Sequence, residues 1–446
     1  MHNISIFGTS SDAGKSTLTF VIGRIVKEAG YSVAPFKAQN VSNNAHVCDD
    51  NSEIGIAQYF QAEVLGVPTS YHLNPILLKS GKKNSASLIV NGKAIANKDV
   101  HEYYRDLDLL KPAVDHAFNY LDERYDCVIC EGAGSPVELN LMDKDLSNIY
   151  MATKFKTKII LVADIEKGGV FASIWGVYNL LPKELQENVI GVIVNKFRGD
   201  LSLFDKGIEI IEKEFNIPVL GVLPYVPFNL GFEDSQSLFN YQQETESNAK
   251  KIAVLAYPSM SNYNDLEPLI ANPKMHIDFV TSNVLLENYE LVILPGSKQV
   301  MKDLTWLKEI GLFEQLQKRT KDIFGICGGY QMLFKNIHDH YAIESEEPKS
   351  MKALGHIDDD IFYRTNKILN KGEYCLWGTE LIGFEIHHGT SKKYPLYYFE
   401  GNIKGTFIHA LFENEVFQSY KEKTINTFVN TMKEKLEVER ILKSLD

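Results

Sequence analysis

The feature that most constrains this chain is its opening stretch, "NISIFGTSSDAGKST", where an apolar run meets a glycine-punctuated turn and then a helix-forming segment. Five more apolar runs follow in the first half: "SVAPFK", "DCVICEG", "KIILVAD", "VIGVIVNK" and "PVLGVLP". Short buried runs separated by helix-length segments imply parallel strands joined by crossover helices, which is a doubly wound α/β sheet. From Asp234 to Lys251 the chain is polar and without apolar periodicity, as expected of a linker. Strand signals restart at "KIAVLAYP", "HIDFV", "LVILPG" and "DIFGIC", so the second half is expected to form another α/β domain. Two domains also suit 446 residues, more than one hydrophobic core normally organises. The closing "YKEKTINTFVNTMKEKLEVERILKSLD" has helical apolar spacing and is expected to pack on the second domain or on a partner. These signals divide the chain into 1–235, a linker 236–250, 251–425 and a C-terminal helix 426–446.

A net charge of −12 argues against broad nucleic-acid binding. It leaves room for an acidic small molecule at a local basic cluster, and Lys79, Lys82 and Lys83 in "LLKSGKKNS" form either such a cluster or a solvated loop. Five cysteines, odd in number and irregular in spacing, fit a reducing compartment. No run approaches a membrane span, and the first residues enter a strand without a leader pattern, so the expected location is cytoplasmic, with no membrane partner. The sequence leaves the oligomeric state open.

In "ISIFGTSSDAGKST", Gly8, Gly14, Lys15, Ser16 and Thr17 lie between a strand and a helix. Glycines let the backbone curl so that its N–H groups face phosphate oxygens, and the helix start adds its positive dipole end. Lys15 would reach the terminal phosphates and the Ser16 hydroxyl would sit on Mg²⁺. The first glycine lies one residue further out than in the strict Walker A spacing. Acidic groups for a metal-bound nucleotide should come from the ends of parallel strands. Glu131 in "VICEGAGSP" and Asp164 in "ILVADIEKGG" stand at such ends, while Asn195 and Lys196 in "GVIVNKFRG" are candidates to contact the base. Cys127 and Cys130 make a C-x-x-C inside a strand, whose geometry argues against a shared site. The pairs His338–His340 and His387–His388 lack a surrounding ligand frame.

"DIFGICGGYQML" puts Cys327 at the tip of a strand-to-helix elbow, the geometry that exposes nucleophiles in hydrolases. The following helix start would favour the thiolate. Backbone N–H groups at Gly328 and near Gly296 in "LPGSK" are candidates for an oxyanion hole. A buried structural cysteine is the competing reading. The base candidate is His409 in "GTFIHALF", with His387, preceded by Glu385 on the same strand face, as runner-up.

Taken together and in order, "GTSSDAGKS", "PFKAQNVSNN", "EIGIAQYFQA", "HLNPILLK", "CEGAGSPVELNL", "ADIEKGGVFAS", "NKFRGD", "LPGSKQVMKDL", "GICGGYQML", "GFEIHHGT" and "GTFIHALF" resemble the glutamine-hydrolysing cobyric acid synthase family. Its first half is similar to dethiobiotin synthetase and its second to class I glutamine amidotransferases. The resemblance implies an ATP- and Mg²⁺-dependent amidation of a corrinoid, adenosylcobyrinic acid a,c-diamide, at four peripheral carboxylates with glutamine as nitrogen source. It implies ATP binding by Gly8, Thr9, Gly14, Lys15, Ser16 and Thr17, with Lys37 and Glu131 at the phosphate and metal site. It also implies that Asp164 lies near the reacting carboxylate, and that Cys327 and His409 hydrolyse glutamine. Three positions depart from the usual patterns. Leu411 stands where class I amidotransferases carry a glutamate, which the cobalamin branch lacks, leaving open what orients His409. Ala410 replaces a usual glycine and Ile56 a usual arginine. A cobyrinic acid a,c-diamide synthase or an amidotransferase on another polycarboxylate competes within the same chemistry. A partition-type ATPase switch competes from outside it.

Overall fold

The computed structural model describes residues 2–80, 85–99, 107–228, 230–231 and 243–445. The six apolar runs of the first half form one sheet in the order Val219–Pro224, Val189–Phe197, Lys158–Asp164, Ile4–Gly8, Cys127–Glu131, Val33–Phe36, and every pairing is parallel. Ile4–Gly8 and Cys127–Glu131 are buried at every position, as strands covered by helices on both faces must be. The strand order reverses direction around Ile4–Gly8, so the loop after it opens at the sheet's switch point, where doubly wound folds bind ligands. Cys127 and Cys130 both lie in this core, where burial pushes the Cys127 thiol up to about 12.

The second half has its own sheet, ordered Met275–Val280, Lys250–Leu255, Leu291–Leu294, Asp322–Ile326, Ile403–Thr406, Tyr397–Glu400, parallel except for the last pair. The apolar runs do not announce its other main element, an antiparallel ribbon of Ile357–Leu376 against Thr379–Thr390. One face of that ribbon meets the first domain: Phe384 and Ile386 share a small core with Ala45, Val47, Leu77 and Ile89.

The end of the chain departs from expectation. The helix begins at Glu415 and runs to Lys433, and it packs on the first domain rather than the second. Phe428 packs at a tilt against Phe20 and Phe228, and Glu437 donates its N–H to the Leu220 carbonyl at the sheet edge. The apolar stripe of this helix is as its spacing predicts, but a stripe does not say which surface it covers. Of the polar linker, Gln243 is anchored on the Ile270 and Met275 carbonyls, and 232–242 lies outside the described residues. Lys82 and Lys83 also lie outside them, whereas Lys79 is buried, not solvated.

Candidate active sites

The first site is built around the loop Gly8–Gly14. Gly14 has φ 100°, and a Cβ there would lie 2.2 Å from Asn195 Nδ2, so both the turn and its neighbour require glycine. The helix Lys15–Glu28 starts at once, and its first internal bond is Leu18 N–H to the Gly14 carbonyl. The N–H groups of its first turn therefore lack intrahelical acceptors and suit an anion. Lys15 Nζ spans the loop, donating to the carbonyls of Ser10 (3.0 Å) and Gly134 (2.9 Å).

Glu131 is the charged centre of this site, 1% exposed. Its Oε1 accepts from Lys37 Nζ and Ser16 Oγ, each at 2.7 Å, and its Oε2 from Gln61 (2.6 Å) and Gln58 (3.3 Å). Burial pushes this carboxyl up, but Lys37 and the Ser16 and Gln61 hydrogen bonds outweigh it and hold the group below the ordinary glutamate range. An ionised carboxylate 2.7 Å from the loop's serine hydroxyl is a hard-oxygen pair that fits Mg²⁺ beside phosphates. Gln58 and Gln61 were not among the expected site residues; their signal is the helical spacing of amides in "IAQYFQA".

Asp164 ends its strand as expected, held by Lys196 (3.1 Å) and the Glu166 N–H (2.8 Å). Lys196 also donates to the Asp12 carbonyl at 2.6 Å, which places Asp164 beside the loop. Asn195, the expected base contact, has its Nδ2 donating to the Ala13 carbonyl at 2.9 Å, so in this structure its amide braces the loop from below. The strand carries it under the turn, where an amide donor is needed by a buried carbonyl.

The second site centres on Cys327, whose φ of 49° and ψ of −101° mark a strained elbow between the strand Asp322–Ile326 and a helix of only five residues, Gly328–Met332. The helix is shorter than the sequence suggests, because the chain turns into a strand at Phe334. Gly328 and Gly329 have no room for side chains; a Cβ would lie 2.5 Å from Ser297 N and 1.9 Å from the Leu294 carbonyl oxygen. Gly296 is equally confined, with His409 Cε1 3.4 Å from its would-be Cβ. Gly296, the elbow of Cys327 and Gly328, and His409 thus converge from separate segments.

His409 is fully buried and its Nδ1 lies 2.6 Å from Asp265 Oδ2. The other Asp265 oxygen accepts the Ala410 N–H at 2.7 Å. Burial lowers the imidazole pKa, but Asp265 and then Cys327 raise it, to about 10 overall. His409 Nε2 has no hydrogen-bond partner among the described residues and is left for the Cys327 thiol. Asp265, on the short turn Tyr263–Leu266, therefore orients His409. Sequence reasoning does not find it; Glu413, the nearest acid along the chain, bonds Gln418 instead. His387, the runner-up base, has both nitrogens engaged, by the Gly389 carbonyl (2.8 Å) and Glu385 (3.2 Å).

Among known proteins, residues 4–230 match the family described as CobQ/CobB/MinD/ParA nucleotide binding domain, and residues 251–417 match the CobB/CobQ-like glutamine amidotransferase domain. The chain is 62% identical to the cobyric acid synthase of Acinetobacter baylyi, covering 100% of this chain and 99% of the relative. It is 38% identical to that of Clostridium botulinum (96% and 90%) and 36% identical to the probable cobyric acid synthase of Picrophilus torridus (100% of each). With both halves matched and the full length aligned, the chain belongs to the cobyric acid synthase family.

Proposed function

We propose that this enzyme uses ATP and glutamine to amidate peripheral carboxylates of adenosylcobyrinic acid a,c-diamide, giving adenosylcobyric acid. The observation that carries the reading is the Cys327, His409 and Asp265 constellation in one chain with a phosphate loop whose serine is bonded to a buried, ionised Glu131. A partition-type switch has no use for such a thiol. We assign the synthetase unit to 1–235, the linker to 236–250 and the amidotransferase unit to residues from 251 up to the helix Glu415–Lys433 rather than to 425, since that helix clasps the first domain.

A carboxylate is a poor acyl donor, so the first half transfers the terminal phosphoryl of ATP to it, and ammonia then displaces phosphate from the acyl phosphate. Gly8 to Thr17 cradle the phosphates, Lys15 neutralises the transferring group, and Asp164 faces the reacting carboxylate. Ser16 and Glu131 would hold Mg²⁺, which neutralises phosphate charge; Lys37 keeps Glu131 ionised. In the second half His409 takes the Cys327 proton, and the sulfur attacks the side-chain amide of glutamine. The developing oxyanion is met by N–H groups at Gly296 and Gly328. His409 returns the proton to the leaving nitrogen, ammonia departs, and water clears the glutamyl thioester. The chain offers no described helix long and apolar enough to cross a membrane.

The test is the product mass after incubation with the corrinoid diamide, ATP, Mg²⁺ and glutamine. Four successive replacements of OH by NH₂ are expected. No mass change beside an active control would overturn the reading.

A further inference from the structure

Cys327 opens into a cavity of about 300 Å³ between the two halves, and three lysines line it: Lys79 from the first half, Lys298 and Lys367 from the second. Among the described residues, a single ionised carboxylate answers them. Glu53, wholly buried, pairs with Lys79 and, at 2.7 Å, with Lys367. Glu344 also lines the cavity, but burial pushes its carboxyl up to about 8, so it is largely neutral at pH 7. Lys298 donates to the neutral Asn43 Oδ1 at 3.3 Å and has no carboxylate within ion-pair distance among the described residues. Burial, then Lys79 and Lys367, push its ammonium down to about 6. An anion placed beside Lys298 returns it to the ammonium form and answers the net positive charge that Lys79 and Lys367 leave after sharing Glu53.

Glutamine brings such an anion. With its side-chain amide on the Cys327 sulfur, its α-carboxylate would fall within the same small cavity, which Lys298 lines. We propose that Lys298, flanked by Lys79 and Lys367, binds the α-carboxylate of glutamine, and that Glu53 is a positioning residue holding a lysine of each half against the other. The inference rests on Cys327 being the glutaminase nucleophile. It makes recognition of glutamine a joint property of the two domains, and it gives Lys79 a role that a solvated loop would not.

The first test uses the unaltered enzyme with glutamine and with glutamine α-amide, whose carboxylate is replaced by a neutral group. Loss of one charge-assisted hydrogen bond should lower kcat/KM for the α-amide by about 10- to 100-fold. In Lys298→Met the KM for glutamine should rise by about tenfold with kcat within about threefold, and the discrimination against the α-amide should collapse; Lys298→Arg should restore most of it. Equal use of both substrates by the unaltered enzyme, or full discrimination retained in Lys298→Met, would overturn the proposal. Glutamine hydrolysis at the normal rate by Cys327→Ala would instead overturn the nucleophile assignment beneath it.

Discussion

Replacing Asp265 by asparagine keeps the size of the side chain and removes its charge, which isolates what the carboxylate does for His409. The substitution abolishes a charge-assisted hydrogen bond of 2.6 Å in a fully buried setting. Such bonds contribute ~1.5–3 kcal/mol, which at ~1.4 kcal/mol per decade is about 10- to 150-fold in kcat for glutamine hydrolysis. That is a lower bound, because an amide NH₂ facing Nδ1 selects the tautomer protonated on Nε2, which cannot accept the thiol proton. The pH response follows from the same pair. His409 is raised from 6.5 to about 10, so its ionic contribution to folding is complete below pH 6.5 and is lost as pH climbs through about 10. In Asp265→Asn the imidazole falls back, and the alkaline limb of kcat/KM should move to lower pH. The assay is ammonia release from glutamine across pH, with the ATP-dependent reaction on free ammonium as the check that the fold is intact. Hydrolysis within about threefold of the unaltered enzyme, with an unmoved pH profile, would refute the assignment of Asp265.

Cys327→Ala should abolish glutamine-dependent amidation and spare the reaction with free ammonium; loss of both, in a folded protein, would sink the division of labour between the halves. Glu131→Gln leaves the Lys37 ammonium buried without its counter-charge, so thermal or urea unfolding should show a loss of ~3 kcal/mol or more, together with a weakened Mg²⁺ dependence. Because Glu131 is depressed below its ordinary 4.5, its contribution is present above that pH and lost on acidification, and the variant should lose less than the native protein as the pH falls. Ala410 has φ 65°, a conformation that strains any side chain, so Ala410→Gly should raise stability by ~0.5–1 kcal/mol; an unchanged or lower melting temperature would count against that strain.

The parallel sheet of the first half is legible in the sequence because its evidence is local. Each strand is a short run buried on both faces, and the glycine-rich turn has a backbone geometry that few other residues tolerate. The second half is less so. Its long ribbon carries mixed polar and apolar residues, from "IDDDIFYRTNKILNKGEYCL" onwards, since one part of it faces solvent and another meets the first domain. The helix of Glu415–Lys433 shows the same limit from the other side, since its amphipathic spacing names an element and leaves its partner surface undetermined.

The candidate sites divide along a similar line. Residues on the loop, at strand ends and at the elbow can be found because backbone geometry ties them to positions in the chain: Lys15, Ser16, Glu131, Cys327. Residues that act on other side chains cannot. Asn195 stands at a strand end as its sequence context indicates, yet whether its amide meets a nucleotide or the Ala13 carbonyl depends on how closely a different strand's loop approaches. Asp265 is the sharper case. Where class I amidotransferases carry a glutamate two residues after the histidine, this chain has Leu411. What the reaction requires is a carboxylate on Nδ1, not a carboxylate at one spacing, and here a turn 144 residues earlier delivers it while its second oxygen holds the Ala410 N–H. The same oxygen pair that aligns the imidazole therefore also fixes the backbone after it, at the position where Ala410 sits with positive φ. The departures at Leu411 and Ala410 thus meet at one residue, Asp265.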